Sequence, residues 1–175
     1  YLALNYARFG DPLDTGYAYI GAIPNPETIL TDRIDNLGLF SADYLLFNVF
    51  YLFFQGFHVE FAGPHLTELG ALDGFGASLL AASPFVLLAI FAPWRRTVVI
   101  GALCIAATLG PMLLYHSNGF TQFNVQRYAL DWLPILIFVL ALAVRPALRP
   151  ALAVLVTYAI GLNVVTAAVA YLTSA

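Results

Sequence analysis

An all-α integral membrane fold is what this sequence predicts, on three observations. Of 175 residues, 61% are hydrophobic and only 10% are charged, and mean hydropathy is +0.83. Water-facing domains carry about 25% charged residues. Seven arginines, ten acids and no lysine are too few to coat a soluble globule of this size, so most of the surface must meet lipid. The apolar residues also fall into long runs with short connections between them.

A hydrocarbon core of about 30 Å takes about 20 helical residues. Four runs qualify as spans: 75–93, 97–115, 129–145 and 151–173. Trp94-Arg95-Arg96 separates the first two, and the Arg145–Pro150 connection separates the last two. Four of the seven arginines therefore fall in the first and third connections. Alternation places these on one side, which the positive-inside rule makes cytoplasmic. The polar loop 116–127 then faces outward, as does everything before residue 75. That division predicts an outer-face region over 1–74 and a four-helix bundle over 75–175.

Residues 1–40 read as a net acidic loop punctuated by Pro and Gly, with Arg8 and Arg33 against Asp11, Asp14, Glu27, Asp32 and Asp35. Segment 41–57 reads as an amphipathic helix lying at the interface, or, less well, as a span. Ser41 is its expected N-cap, with Asp43 in the first turn. Tyr44, Asn48, Tyr51 and Gln55 recur on one face, and the tyrosines belong at headgroup level. Pro84, Pro111 and Pro134 fall well inside runs and should bend their helices. Ala159, Asn163 and Ala167 form a small-residue stripe suited to helix packing. Cys104, in an apolar run, reads as a small buried hydrophobe. The opening YLALNYARFG, with neither an initiator Met nor a signal pattern, reads as an internal point of a longer protein.

The chemistry gathers around HSNGFTQFNVQRYALDWLPILIFVLALAVRP. Arg127 and Asp131 stand at i, i+4, one face of an α-helix, at the mouth of an apolar run. A charge at the bilayer centre costs about 2.5–3.5 kcal/mol on insertion scales, less near the boundary. One reading is an ion pair that fixes the helix end. The other is that Asp131 holds Arg127, whose fork of donors grips a phosphate. Tyr115, His116, Asn118, Gln122, Asn124, Gln126 and Tyr128 surround the pair, a density of hydrogen-bonding groups that suits a sugar or phosphate. Arg8, beside Asp11, Asp14 and two tyrosines, is a further candidate on the same side.

Other chemistries find no footing. His58, Glu60 and His65 match no defined metal spacing and read as a solvated loop; no cofactor is specified. GFGAS lacks the lysine and spacing of a P-loop, and there is no Gly-x-Ser-x-Gly. A net charge of −3 excludes a phosphate-neutralising nucleic-acid surface.

NYARFGDPLDTGY, then ASLLAASPFVLLAIFAPWRR, then GFTQFNVQRYALDWLPILIFVLAL resembles the C-terminal half of bacterial polytopic GT-C-type glycosyltransferases. These are related to the dolichyl-phosphate-mannose protein mannosyltransferases. The shared pattern is Asn-Tyr-x-Arg-Phe-Gly-x-Pro-x-x-x-Gly-Tyr, a Ser-Pro in the next span, and Gln-Phe-x-x-Gln-Arg-Tyr-x-Leu-Asp-x-x-Pro, over roughly residues 4–150. Asn124 departs from it, standing where a glycine is expected. The resemblance implies an inner-membrane enzyme of a bacterium that moves a sugar from a polyprenyl-phosphate carrier to an acceptor on the outer face. Its catalytic carboxylate would lie upstream of Tyr1, in the missing part of the chain. Arg127, and with it Arg8, would neutralise the carrier phosphate; Asp131 would orient Arg127; His116 or Gln122 would bond sugar or acceptor hydroxyls. The competing readings are a transporter or channel module, which calls for polar positions near the midplane, and a non-catalytic membrane scaffold. The midplane here is nearly bare, with Asn163 and Thr108 the main exceptions.

Overall fold

The computed structural model describes residues 2–12, 29–73, 76–117, 122–123 and 127–174, with the backbone alone at 31, 122, 123, 127 and 174. It divides into two units, Tyr1–Leu39 and Phe40–Ala175.

In the first unit, part of the expected loop is helical: α1 spans Leu2–Phe9 and α2 spans Ile29–Leu37. Each ends on a glycine at positive φ, Gly10 at 77° and Gly38 at 80°. Their N–H groups return to Tyr6 O at 2.9 Å and Ile34 O at 3.0 Å, the left-handed stop that glycine adopts at no steric cost. Buried Asn5 donates to Pro12 O at 3.3 Å, which turns the chain back on α1.

The second unit is mostly helical. It runs through α3 (Tyr44–Val49), a π-helical turn (Phe50–Phe54), strands β1 (Val59–Ala62), β2 (Glu68–Leu72) and β3 (Gly76–Ala77), then α4 (Leu79–Ala82) and a 3-10 helix (Pro84–Phe91). There follow α5 (Arg96–Leu113), β4 (Gln122–Phe123), a 3-10 turn (Arg127–Asp131), α6 (Leu133–Ala143), a second 3-10 turn (Pro146–Leu148) and α7 (Arg149–Ser174). The strands correct the all-α expectation. β1 and β2 form an antiparallel hairpin, and β3 pairs parallel with β4, Gly76 opposite Gln122 and Ala77 opposite Phe123.

The four expected spans also need correction. Among the described residues, two helical stretches, Arg96–Leu113 and Pro146–Thr173, are long and apolar enough to cross a membrane. Run 75–93 breaks at Ser83, whose φ of −138° and ψ of 58° leave the helical region before Pro84. Proline offers no N–H and disfavours helix at the residue before it. Run 129–145 yields only the eleven residues of α6, with Pro134 in its first turn, where proline's fixed φ starts a helix rather than bending one.

Two buried clusters hold the unit together. Leu88, Ala89 and Ala92 meet Val139, Leu140 and Ala143 of α6; Leu52 and Leu79 meet Ala129 and Trp132. Leu136 touches both. Gly101 lets α5 approach α6, since a Cβ there would lie 3.2 Å from a Val139 methyl. Arg145 Nη2 donates to Phe91 O at 3.4 Å, which ties the connection after α6 to the end of the 3-10 helix Pro84–Phe91.

Segment 41–57 folds as a short helix with its expected faces reversed. Ser41 Oγ accepts the Asp43 N–H at 3.2 Å, but the N-cap is Asp43 and not Ser41, and the face bearing Tyr44 and Asn48 turns inward, at 1% and 0% exposure. Leu46, Phe50 and Phe54 point out, at 69%, 55% and 67%. The reason is backbone supply. The last carbonyls of a helix have no intrahelical donor, and Asn48 Nδ2 donates to two at the end of α5, Leu113 O at 2.8 Å and Tyr115 O at 2.9 Å. Ser78 does the same for the π-helical turn. Its Oγ donates to Phe53 O at 3.2 Å and its N–H to Gln55 O at 2.9 Å, while the Oγ caps α4 through Ala81 N–H.

Asn48→Leu removes both bonds to α5 and should lower stability by about 2–4 kcal/mol, since two buried carbonyls lose their donor. Asn48→Asp, which cannot donate from its ionised carboxylate, should cost at least as much; equilibrium unfolding of the three proteins measures this. Gly101→Leu should cost about 1–3 kcal/mol by forcing α5 from α6. Gly161→Ala, with nothing within 4 Å of the new Cβ, should gain about 0.5–1 kcal/mol in the same assay.

Candidate functional site

The C-terminal end of α5 carries the richest cluster of expected site residues. An antiparallel bridge between Phe40 and Tyr115 and a bond from Ser41 N–H to Leu114 O, at 3.0 Å, tie the start of the unit to the exit of α5. The Tyr115 ring is the hub. It lies 5.4 Å from Phe40 at a tilt of 50°, 5.4 Å from Tyr128 at 83°, and 4.4 Å from the His116 imidazole at 68°. These are edge-on and tilted arrangements that the ring quadrupole favours. Ser117 Oγ and Tyr128 Oη share a hydrogen bond of 3.3 Å.

These rings border an open cleft of about 380 Å³, lined by Phe40, Thr108, Pro111, Met112, Tyr115 and Tyr128 together with Ala107. Pro111 has no N–H to give to Ala107 O, and Thr108 turns its hydroxyl to Cys104 O at 3.0 Å and Ile105 O at 3.1 Å. The cleft thus has an apolar floor along α5 and aromatic, hydroxyl-bearing groups at its mouth.

The expected residues distribute unevenly around it. His116 and Tyr128 come together through Tyr115, His116 buried at 5% exposure and Tyr128 lining the cleft. Gln122 lies on β4, against Gly76. Arg127 and Asp131 begin and end one 3-10 turn, which corrects the shared face expected of them. At three residues per turn, positions i and i+4 sit about 120° apart, against about 40° in an α-helix. Asp131 is exposed. Arg8 ends α1 in the other unit and is exposed. Asn118, Asn124, Gln126, Asp14 and Glu27 lie outside the described residues. Of the residues read as a loop, His58 precedes β1, Glu60 lies on it and His65 is in the turn. Among the described residues no group of three or more His, Cys, Asp or Glu stands ready to hold a metal ion.

Phe40 and Ser117 were not singled out by sequence reasoning, because nothing in their neighbourhood marks a lone Phe or Ser as part of a site. Met112 and Pro111 belonged to an apolar run, and only the exit path of α5 places them in the cleft wall. A second groove, of about 550 Å³, runs beside α7 and includes Ser83, Phe85, Ala159, Asn163 and Ala167. The small-residue stripe lies open there, with Asn163 Nδ2 turned back to Ala159 O at 2.8 Å.

No family model, curated protein or solved structure matches this chain.

Tyr115→Ala removes the ring that three others contact and should cost about 2–3 kcal/mol, below a fully buried aromatic because Tyr115 is only half-buried. Phe40→Ala, 60% exposed and touching one ring, should cost less than about 1 kcal/mol. Near-UV circular dichroism and unfolding midpoints of the two variants report the difference.

Proposed function

We propose that this chain is the C-terminal membrane part of a glycosyltransferase. It would move a sugar from a polyprenyl-phosphate carrier to an acceptor at the outer face of a bacterial inner membrane. The observation that carries the proposal is the segment Gln-Phe-x-x-Gln-Arg-Tyr-x-Leu-Asp-x-x-Pro. It resembles the glycosyltransferase pattern, and it runs from β4 through the 3-10 turn into α6 while contributing Tyr128 to the cleft.

Three features support a bilayer as the solvent. Little of α5 or α7 is covered by protein. Val154, Ile160, Val164 and Leu172 of α7 are each more than 60% exposed, and apolar surface on that scale marks a lipid or protein interface. Segment 42–54 turns its amide inward and its leucine and phenylalanines outward, the reverse of a helix facing water. The 3-10 helix Pro84–Phe91 packs against the eleven-residue α6. Non-helical backbone is tolerated at membrane depth where protein buries it, and Leu88, Ala89 and Ala92 are buried against α6. The end bearing Arg95, Arg96, Arg145 and Arg149 is then cytoplasmic, and the cleft opens outward.

In this reading the cleft receives the lipid carrier's head, and Arg127 neutralises the phosphate as it departs with increased charge. Asp131, about a third of a turn from Arg127 along the 3-10 turn, plays the lesser part. The proton-abstracting carboxylate belongs to a part of the protein outside this sequence.

Full-length protein in lipid with radiolabelled polyprenyl-phosphate sugars should release sugar to an acceptor. Arg127→Ala should reduce turnover about 100-fold or more with folding intact, the scale of losing one charge-stabilising donor. Asp131→Asn should fall less. Turnover equal in all three proteins, or absent with every donor, would overturn the proposal.

A further inference from the structure

The β1–β2 hairpin has two chemically distinct faces, and a bulge makes them so. Val59 pairs with Leu72 and Glu60 with Ala71; the register then slips, and Phe61 pairs with Leu69 and Ala62 with Glu68. Successive side chains in a strand alternate faces. Val59, Phe61, Leu69 and Leu72 therefore share one face, and Glu60, Ala62, Glu68 and Ala71 share the other. Without the extra residue at Gly70, Leu69 would join the glutamates and Phe61 would stand opposite a glycine. Glycine is required there, since a Cβ at residue 70 would lie 2.9 Å from Glu60 O.

Among the described residues, the apolar face is covered only at its base. Val59 and Leu72 are half-buried, β2 packs on α7, and Leu72 and Asp73 lie with Thr166 around one small cavity. Toward the tip the face is open: Phe61 is 54% exposed and Leu69 40%. The turn adds Leu66, 68% exposed and held at a φ of 52°, a left-handed conformation that leucine disfavours.

We infer that this hairpin is a lipid-interface anchor, its Phe61–Leu69 face laid into the headgroup and acyl boundary beside α7 and its Glu60–Glu68 face toward water. The inference rests on the membrane reading of α7 given above. Two constraints choose the interface over the hydrocarbon interior and over bulk water. A two-stranded sheet leaves strand edges that lipid tails cannot satisfy, and a hairpin alone is marginal in water without a surface for its apolar side. The level on α7 agrees. Thr166 lies toward the C-terminal end of Pro146–Thr173, the end opposite the arginines, and the hairpin base there carries a polar pair, Gln55 Nε2 to Asp73 Oδ2 at 3.0 Å. Because β2 packs on α7, the hairpin's exposed Phe61 and Leu69 stand beside a helix with many exposed apolar residues of its own, and the occupant is the bilayer that α7 would meet.

Nitroxide labels test this in the full-length protein, in phosphatidylcholine nanodiscs, on a Cys104→Ser background. Single cysteines are placed as Phe61→Cys, Leu69→Cys, Glu60→Cys, Glu68→Cys and, on α7, Ile160→Cys. Labels at 61 and 69 should lose collision broadening by water-soluble nickel chelate while remaining accessible to oxygen. Labels at 60 and 68 should keep it, and the label at 160 should be the most protected from nickel. Nickel access at 61 and 69 equal to that at 60 and 68, with 160 still in lipid, would place the hairpin in water and overturn the anchor alone. Labels at 61 and 69 shielded from both nickel and oxygen would overturn it in favour of a protein partner. A label at 160 open to nickel would overturn the membrane reading and the anchor together.

Discussion

The carboxamide of Asn48 is the constraint on which the second unit depends. Helix α5 ends by turning sharply into Leu114 and Tyr115, and its last carbonyls need donors that the helix cannot supply. Asn48 gives both amide hydrogens to Leu113 O and Tyr115 O, while its buried Oδ1 finds no hydrogen-bond partner among the described residues. Two acceptors within 3 Å dictate this orientation, because the flipped amide would set oxygen against oxygen. In an apolar surrounding each unmade bond is costly. One side chain therefore docks α3 onto α5 and fixes where the chain leaves α5.

From that anchorage the rest follows in sequence. With Asn48 and Tyr44 inward, Leu46, Phe50 and Phe54 can only face out. The π-helical turn that continues α3 ends at Gln55, and Ser78 collects the carbonyls of Phe53 and Gln55. The same serine starts α4, which packs Leu79 against Leu52, Ala129 and Trp132. Trp132 directly precedes α6, so one buried cluster sets the entry of α6 and the 3-10 turn that carries Arg127 and Asp131. Tyr115, released at the end of α5, gathers the rings of Phe40, His116 and Tyr128 and lines the cleft with Phe40 and Tyr128.

Much of this was legible in the residues, and the failures have specific causes. The long apolar runs of α5 and α7 hold enough hydrophobic helix formers to declare themselves. Runs 75–93 and 129–145 looked equivalent, but Pro84 follows a serine that abandons the helix, while Pro134 starts one. Hydropathy alone cannot weigh a missing N–H. Asn48 shares a face with Tyr44, but the π-helical turn continues that buried face to Leu52 rather than Tyr51; which way the face turns depends on carbonyls 65 and 67 residues further along. Arg127 and Asp131 lost their common face because the backbone there winds at three residues per turn.

What the sequence alone determined is the apolar character of the chain, 61% hydrophobic and 10% charged, because each residue's transfer energy is its own. It also determined the helices whose periodic, uninterrupted runs need no distant partner. Tertiary structure decided everything that required a donor and an acceptor from different elements. These are the inward turn of Asn48, the capture of the π-helical turn by Ser78, the meeting of Phe40 with Tyr115 and Tyr128, and the hairpin register set by Gly70. Apolar burial is additive along the chain and can be read locally. A hydrogen bond or a strand register is a pairwise geometry, and it exists only once the fold brings both halves within reach.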